Sequence, residues 1–162
     1  MAQRIVPNLW FDTEAEEAAR FYCSVFPNSR IVAIARYPAD GPGPAGTVMT
    51  VEFELDGQRL VGINGGPQFP FTEAISLQID CADQAEVDHY WDRLTDGGQP
   101  VQCGWLKDRY GVSWQVVPAG MDRLFGEDDP ARAQRAMTAM LGMTKLDIAA
   151  LERAAAGEPG CG

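Results

Sequence analysis

The stretch ISLQIDCADQAEVDHYWDRLTDGG, residues 75–98, decides how this chain is read. Ile75, Leu77 and Ile79 alternate with Ser76, Gln78 and Asp80, the period of a half-buried strand. Asp83-Gln84-Ala85-Glu86 follows, an acidic cap with a glutamate three residues on, which is how a helix satisfies its first free N–H groups. Val87, Tyr90, Trp91 and Leu94 then recur at the spacing of one helical face, and Gly97-Gly98 stops the helix.

The same phrase stands about 70 residues earlier, as IVPNLWFDTEAEEAARFYCSVF over residues 5–26. Ile5 to Phe11 reads as a strand. Thr13-Glu14-Ala15-Glu16 reads as a capping box. Ala15, Ala18, Ala19, Tyr22, Val25 and Phe26 form one helical face, which Pro27-Asn28-Ser29 ends. Ala15-Glu16 has Phe21 six residues on, and Ala85-Glu86 has Trp91 six residues on. A repeat of that length points to two copies of one supersecondary unit.

Working outward, Ile31 to Tyr37 is an alternating strand and Pro38 to Gly46 a proline- and glycine-rich loop. Val48 to Leu55 and Leu60 to Ile63 are strands joined at Asp56-Gly57, a hairpin signal. After the second helix, Pro100 to Leu106 and Val112 to Val117 read as strands around a turn at Lys107 to Gly111. Asp108 and Arg109 are expected to be a turn residue and a solvated charge. The pattern predicts an α+β chain: a βαβββ module, a second module that repeats its strand–helix start and adds two further strands, and C-terminal helices. The boundaries are 1–66 for the first module, 67–71 for a linker, 72–120 for the second module, 121–156 for the helices and 157–162 for a frayed tail. In the helical region Asp129-Pro130 starts one helix, with Ala133, Ala136, Met137, Met140 and Leu141 on one face. Thr144 to Asp147 starts another that runs through Leu151.

Composition removes several function classes. With 13 basic against 23 acidic residues, a net charge of −10, the chain lacks the cationic surface that phosphate neutralisation requires. No nucleic-acid or anionic-membrane partner is expected. No apolar run approaches the ~20 residues of a membrane span. The start MAQRIVPNLWF has no apolar leader region, and the four cysteines, Cys23, Cys81, Cys103 and Cys161, are scattered. Reduced thiols and a cytoplasmic location are expected. The one histidine, His89, falls off the buried helical face, which removes Ser-His-Asp and Cys-His catalysis. No phosphate-cradling glycine motif opens a helix after a strand.

What remains is a sheet face. If Leu9, Phe11, Ile75, Leu77 and Ile79 pack under the helices, then Asn8, Trp10, Ser76 and Gln78 face the other way. Ser113 and Gln115 alternate with Val112, Trp114 and Val116. Cys103 and Trp105 fall on a strand bordering the same surface. Amides, a hydroxyl and indoles suit a mostly apolar pocket with a few polar fixers.

The stretches IVPNLWFD (5–12), AEEAARFY (15–22), LVGINGGPQFPFTEAISLQIDC (60–81), DQAEVDHYWDRL (83–94), CGWLKDRYGVSWQVVP (103–118) and DPARAQRAMTAMLGMTKLDIAAL (129–151) carry a resemblance over nearly the whole chain. The sequence resembles the vicinal oxygen chelate superfamily, the glyoxalase, bleomycin-resistance and extradiol-dioxygenase group, in a branch labelled 3-demethylubiquinone-9 3-methyltransferase. The resemblance implies an α+β fold of two βαβββ modules side by side, glyoxalase/bleomycin-resistance-like, with rolled-open sheets around a small-molecule cup, and a homodimer. Its metal positions would fall at Val6 or Asn8, at Gly62 with Asn64 two further on, at Ala74 or Ser76, and at Gln115. None is an imidazole or carboxylate, so neither metal nor other cofactor is expected.

The cup is therefore assigned to Asn8, Trp10, Asn64, Ser76, Gln78, Cys103, Trp105 and Gln115, with no catalytic residue identified. Three readings stay open. One is a metal-free binder of a small, largely apolar or aromatic molecule. Another is an enzyme on such a molecule with Glu73, Cys103 or Gln115 near the reacting atom, or with the metal-dependent lyase, isomerase or dioxygenase chemistry, or the methyl transfer, that the resemblance implies. The last is a non-catalytic dimeric scaffold.

Overall fold

The computed structural model describes residues 4–126 and 129–158. Each half of the chain builds a four-stranded mixed sheet with a helix on one face. The chain groups into two compact units, one up to Phe71 and one from Thr72 onward.

In the first unit β1 (Asn8–Phe11) leads to α1 (Ala15–Val25), then β2 (Arg30–Arg36), β3 (Val48–Leu55) and β4 (Gln58–Asn64). The spatial order is β1-β4-β3-β2, with β1 parallel to β4 and the other pairs antiparallel. Asp56 and Gly57 both take positive φ in the β3–β4 turn, which an Asp-Gly pair tolerates. Ala15, Ala18, Ala19, Tyr22 and Val25 of α1 are buried with Leu9, Phe11, Val51 and Phe53. The small alanines let the helix lie close to the sheet.

The second unit repeats this order. β5 (Leu77–Cys81) and α2 (Gln84–Thr95) precede β6 (Gln99–Pro100), β7 (Trp105–Lys107) and β8 (Ser113–Pro118). The sheet runs β5-β8-β7-β6, again with the outer pair β5 and β8 parallel. Val87, Tyr90, Trp91 and Leu94 are the buried face of α2, as their spacing predicts. α3 (Pro130–Leu141) and α4 (Ile148–Ala156) close the chain, each with an aspartate cap, Asp129 and Asp147.

Several local expectations change. Ile75 does not pack under a helix; it is 77% exposed, and β5 begins at Leu77. Similarly β1 begins at Asn8, leaving Ile5 exposed. The single strand expected over 100–106 is two, β6 and β7, because Cys103 and Gly104 both take positive φ and break it. Last, α4 starts at Ile148 rather than within 144–147, where Asp147 serves as its cap. Cys161 and the end of the expected tail lie outside the described residues.

Candidate functional site

Strand alternation gives each sheet a helix-covered face and an opposite one. On the first sheet, Trp10 stands opposite the helix side. Its indole Nε1 donates to Gly66 O at 2.9 Å, and Phe69 meets its ring edge-on at 5.1 Å. Gly65 lies flat against the indole: a Cβ there would sit 2.0 Å from a ring atom, so only glycine fits. Asn8 shares that face but is exposed, its Nδ2 donating to Val6 O.

Asn64 does not join them. It pairs with Phe11 in the β1–β4 ladder and faces the helix. Its Oδ1 accepts from Ala15 N at 2.8 Å and its Nδ2 donates to Val48 O at 3.1 Å, so both ends of the amide are engaged. This also explains why the Thr13–Glu16 capping box does not form. The N-cap is Glu14, without a side-chain cap bond, and Asn64 supplies the cap from 49 residues away. Sequence spacing carries no signal for a cap that arrives across a sheet.

On the second sheet the face opposite α2 is organised differently. Gln78 is the ladder partner of Gln115, and Gln115 is the partner of Trp105. Paired residues project from one side, so these three form a row across β5, β8 and β7. Gln115 Nε2 donates to the Ser76 hydroxyl at 2.8 Å. Gln78 donates to Asp80 Oδ1 at 2.7 Å. Lys107 continues the row's β7 edge and pairs with Glu73 at 2.5 Å. That contact holds the Glu73 carboxyl below its ordinary range through the lysine's hydrogen bond.

Thus Ser76, Gln78, Trp105 and Gln115 come together within one unit, and Asn8 and Trp10 share a face in the other. Cys103 stands apart. It occupies the turn between β6 and β7, with its N–H on Met143 O and its half-buried thiol against Met140 O. Cys81 is fully buried, and burial, aided by Glu86, Asp80 and Asp83, pushes its thiol up to about 12. That removes it as a nucleophile near neutral pH.

Asp108 is the turn residue expected between β7 and β8, but its burial was missed: it is 3% exposed. Its carboxylate accepts from Tyr110 N, Val112 N and the Trp114 indole at 2.9, 3.0 and 2.8 Å. Arg109 is no free charge either; it binds Asp96 O and the Asp96 carboxylate. The signal was the tryptophan six residues on, whose indole N–H needs an acceptor once buried.

The positions that the resemblance assigns to a metal do not fit one. Val6, Gly62 and Ala74 offer no side-chain donor, Asn64 is engaged, and Ser76 and Gln115 bind each other. Among the described residues no three of His, Cys, Asp or Glu converge. Neutral amides and hydroxyls bind divalent ions weakly, because affinity comes from carboxylate and imidazole.

A family model described as 3-demethylubiquinone-9 3-methyltransferase matches residues 3–117. The chain belongs to that family. It lies within the vicinal oxygen chelate superfamily, whose glyoxalase-like architecture the two mixed sheets reproduce. Among solved structures, a Bacillus cereus protein described as a 3-demethylubiquinone-9 3-methyltransferase and PhnB protein is 40% identical, with TM-score 0.67, covering 72% of this chain and 100% of its own. A Pseudomonas aeruginosa protein is 23% identical at TM-score 0.60, over 72% of this chain and 98% of its own. The fosfomycin resistance protein FosX of Listeria monocytogenes shares the fold at 14% identity and TM-score 0.52, over 76% and 96%. No curated protein matches the chain. The family match stops short of α3 and α4, which the resemblance in sequence had included. No described helix is long and apolar enough to cross a membrane.

Proposed function

We propose that this vicinal oxygen chelate-type chain binds a small, largely aromatic molecule on the open face of its second sheet, without a divalent metal and as a homodimer. The observation that carries the reading is the row Gln78–Gln115–Trp105 with Ser76 bonded to Gln115. One flat apolar wall beside a few positioned amide and hydroxyl groups is the usual make-up of a small-molecule site. The amides fix orientation and Trp105 offers stacking area.

Methyl transfer, the chemistry in the family's description, is not favoured by any residue in this arrangement. The β1–α1 connection, Asp12-Thr13-Glu14, is acidic and has no glycine. It lacks the glycine-rich turn with which nucleotide-like cofactors are held at a strand–helix junction.

Native mass spectrometry of untagged protein, before and after a chelator, tests the reading. A dimer carrying an organic molecule that survives the chelator supports it. A stoichiometric divalent ion that leaves with the chelator overturns the metal-free part. A Trp105→Ala variant that retains the same organic molecule in full overturns the location.

A further inference from the structure

Among the described residues one buried side-chain polar atom has no hydrogen-bond partner, the hydroxyl of Ser113. Ser113 is 1% exposed. Buried hydroxyls are nearly always bonded, so an orphan calls for an explanation, an absent ligand among them. Its position supplies one. Ser113 lies two residues before Gln115 on β8 and projects from the same open face. Its ladder partner on β7 is Lys107, which places their Cβ atoms about 5 Å apart. Two residues before Lys107 on that strand is Trp105.

Lys107 is not idle. Its ammonium holds Glu73, in the segment leading to β5, and the Glu73 side chain is more than half exposed. An exposed carboxylate on a lysine is a weak partner, readily exchanged for another carboxylate. Ser76, three residues further on, accepts from Gln115 and keeps its own proton to donate.

We infer that Ser113, Lys107 and Ser76 form a carboxylate seat, and that the molecule held on this face is an aromatic monocarboxylate. This deepens the function proposed above and rests on it. The ligand's carboxylate replaces that of Glu73 on Lys107 and accepts a hydrogen bond from the Ser113 hydroxyl, while its ring lies along Trp105. In the free protein Glu73 is the internal stand-in. A monoanion suits the seat better than a phosphate. Lys107 supplies one positive charge, Asp80 stands nearby on the β5 edge of the same face, and the chain as a whole carries −10.

The test compares binding of 2-naphthoate and the neutral 2-naphthamide by tryptophan fluorescence and calorimetry. The full chain is used in wild-type, Glu73→Gln, Lys107→Met, Ser113→Ala and Trp105→Ala forms. The expected result has four parts. Wild type prefers the carboxylate. E73Q binds it at least about threefold tighter, having lost the competitor. S113A binds it about tenfold more weakly, a charge-assisted hydrogen bond's worth, with unchanged thermal stability because the hydroxyl has no partner to lose. K107M binds acid and amide alike. Equal affinity for acid and amide in wild type, with both abolished by W105A, would sink the carboxylate seat and leave the open-face site standing. Failure of both compounds to bind any form, or binding indifferent to W105A, overturns both. An unfolded S113A leaves the decision to E73Q and K107M.

Discussion

In the first unit the helix is capped from across the sheet, by Asn64, whereas in the second it is capped from within, by Asp83 and the reciprocal reach of Glu86 to Ala82 N. The strands differ in the same sense. Those of the first sheet are four to eight residues long, while β6 and β7 have two and three. What the second sheet lacks in ladder it draws from elsewhere. Asp108 bolts the β7–β8 turn to Trp114, and the segment before α4 bonds to the broken edge through Cys103 N on Met143 O and Gly104 N on Thr144 O. A module can therefore keep its topology while its stabilising contacts move from regular strand pairing to single side chains. The first unit ties its open-face tryptophan down with Gly66 and Phe69; the second leaves polar groups along its row.

The largest break in this comparison should come from Asp108→Ala. It strands two backbone N–H groups and a buried indole N–H, and buried unsatisfied donors cost about 1–3 kcal/mol each, so a loss of about 3–5 kcal/mol is expected. Urea unfolding of the variant measures it. A loss under about 1 kcal/mol would mean that water reaches these donors and that the turn is not a bolt.

Next are the two caps. Asn64→Ala removes a buried acceptor from Ala15 N and a donor to Val48 O, for an expected cost of about 2–3 kcal/mol. Asp83→Ala removes a single exposed cap bond, worth about 1 kcal/mol. The order of the two urea midpoints is the prediction. If D83A is the more damaging, capping across the sheet is incidental to the first unit.

These sites mark what could be read from residues alone. Features set by neighbours in sequence were legible: the buried face of α2, the Asp83 cap, the Asp56-Gly57 turn and the βαβββ order of the first unit. Features set by partners brought near only by folding were not. Asn64 looked like a cup residue because a polar strand end carries no mark of the helix it will cap. The break at Cys103 was invisible because a cysteine at positive φ is unusual, and Gly104 alone does not distinguish a strand from a turn. Gly104 is required there, since a Cβ would meet Val116 O at 2.7 Å. Of the assigned site, the residues on β5, β7 and β8 met because two-residue alternation fixes a face, and the ladder then fixes neighbours. Alternation alone could not supply Ser113's missing partner or Lys107's grip on Glu73.

The smallest effect sharpens how the second unit holds its tail. Lys145 pairs with Asp88 at 2.8 Å, and Gln84 ties α2 to Leu146 O and Ile148 N. Lys145 donation, then that of Gln84, holds Asp88 below its ordinary 3.8, and Asp88 raises Lys145 above 10.5. A carboxylate lowered by folding contributes above its unfolded value and gives this up as pH falls through its folded value. An ammonium raised by folding contributes below its unfolded value and gives this up as pH rises through its folded one. The clasp is thus complete between 3.8 and 10.5 and loosens on either side. Hydrogen-exchange protection at Ile148, whose N–H bonds to Gln84 Oε1, reports it. In wild type the protection factor should be flat between those limits and fall beyond them, while Lys145→Met should be lower at neutral pH and lack the pair's share of the fall. Overlapping profiles would show that Gln84 holds the tail alone, and that the exposed ion pair, like most of its kind, adds nothing measurable.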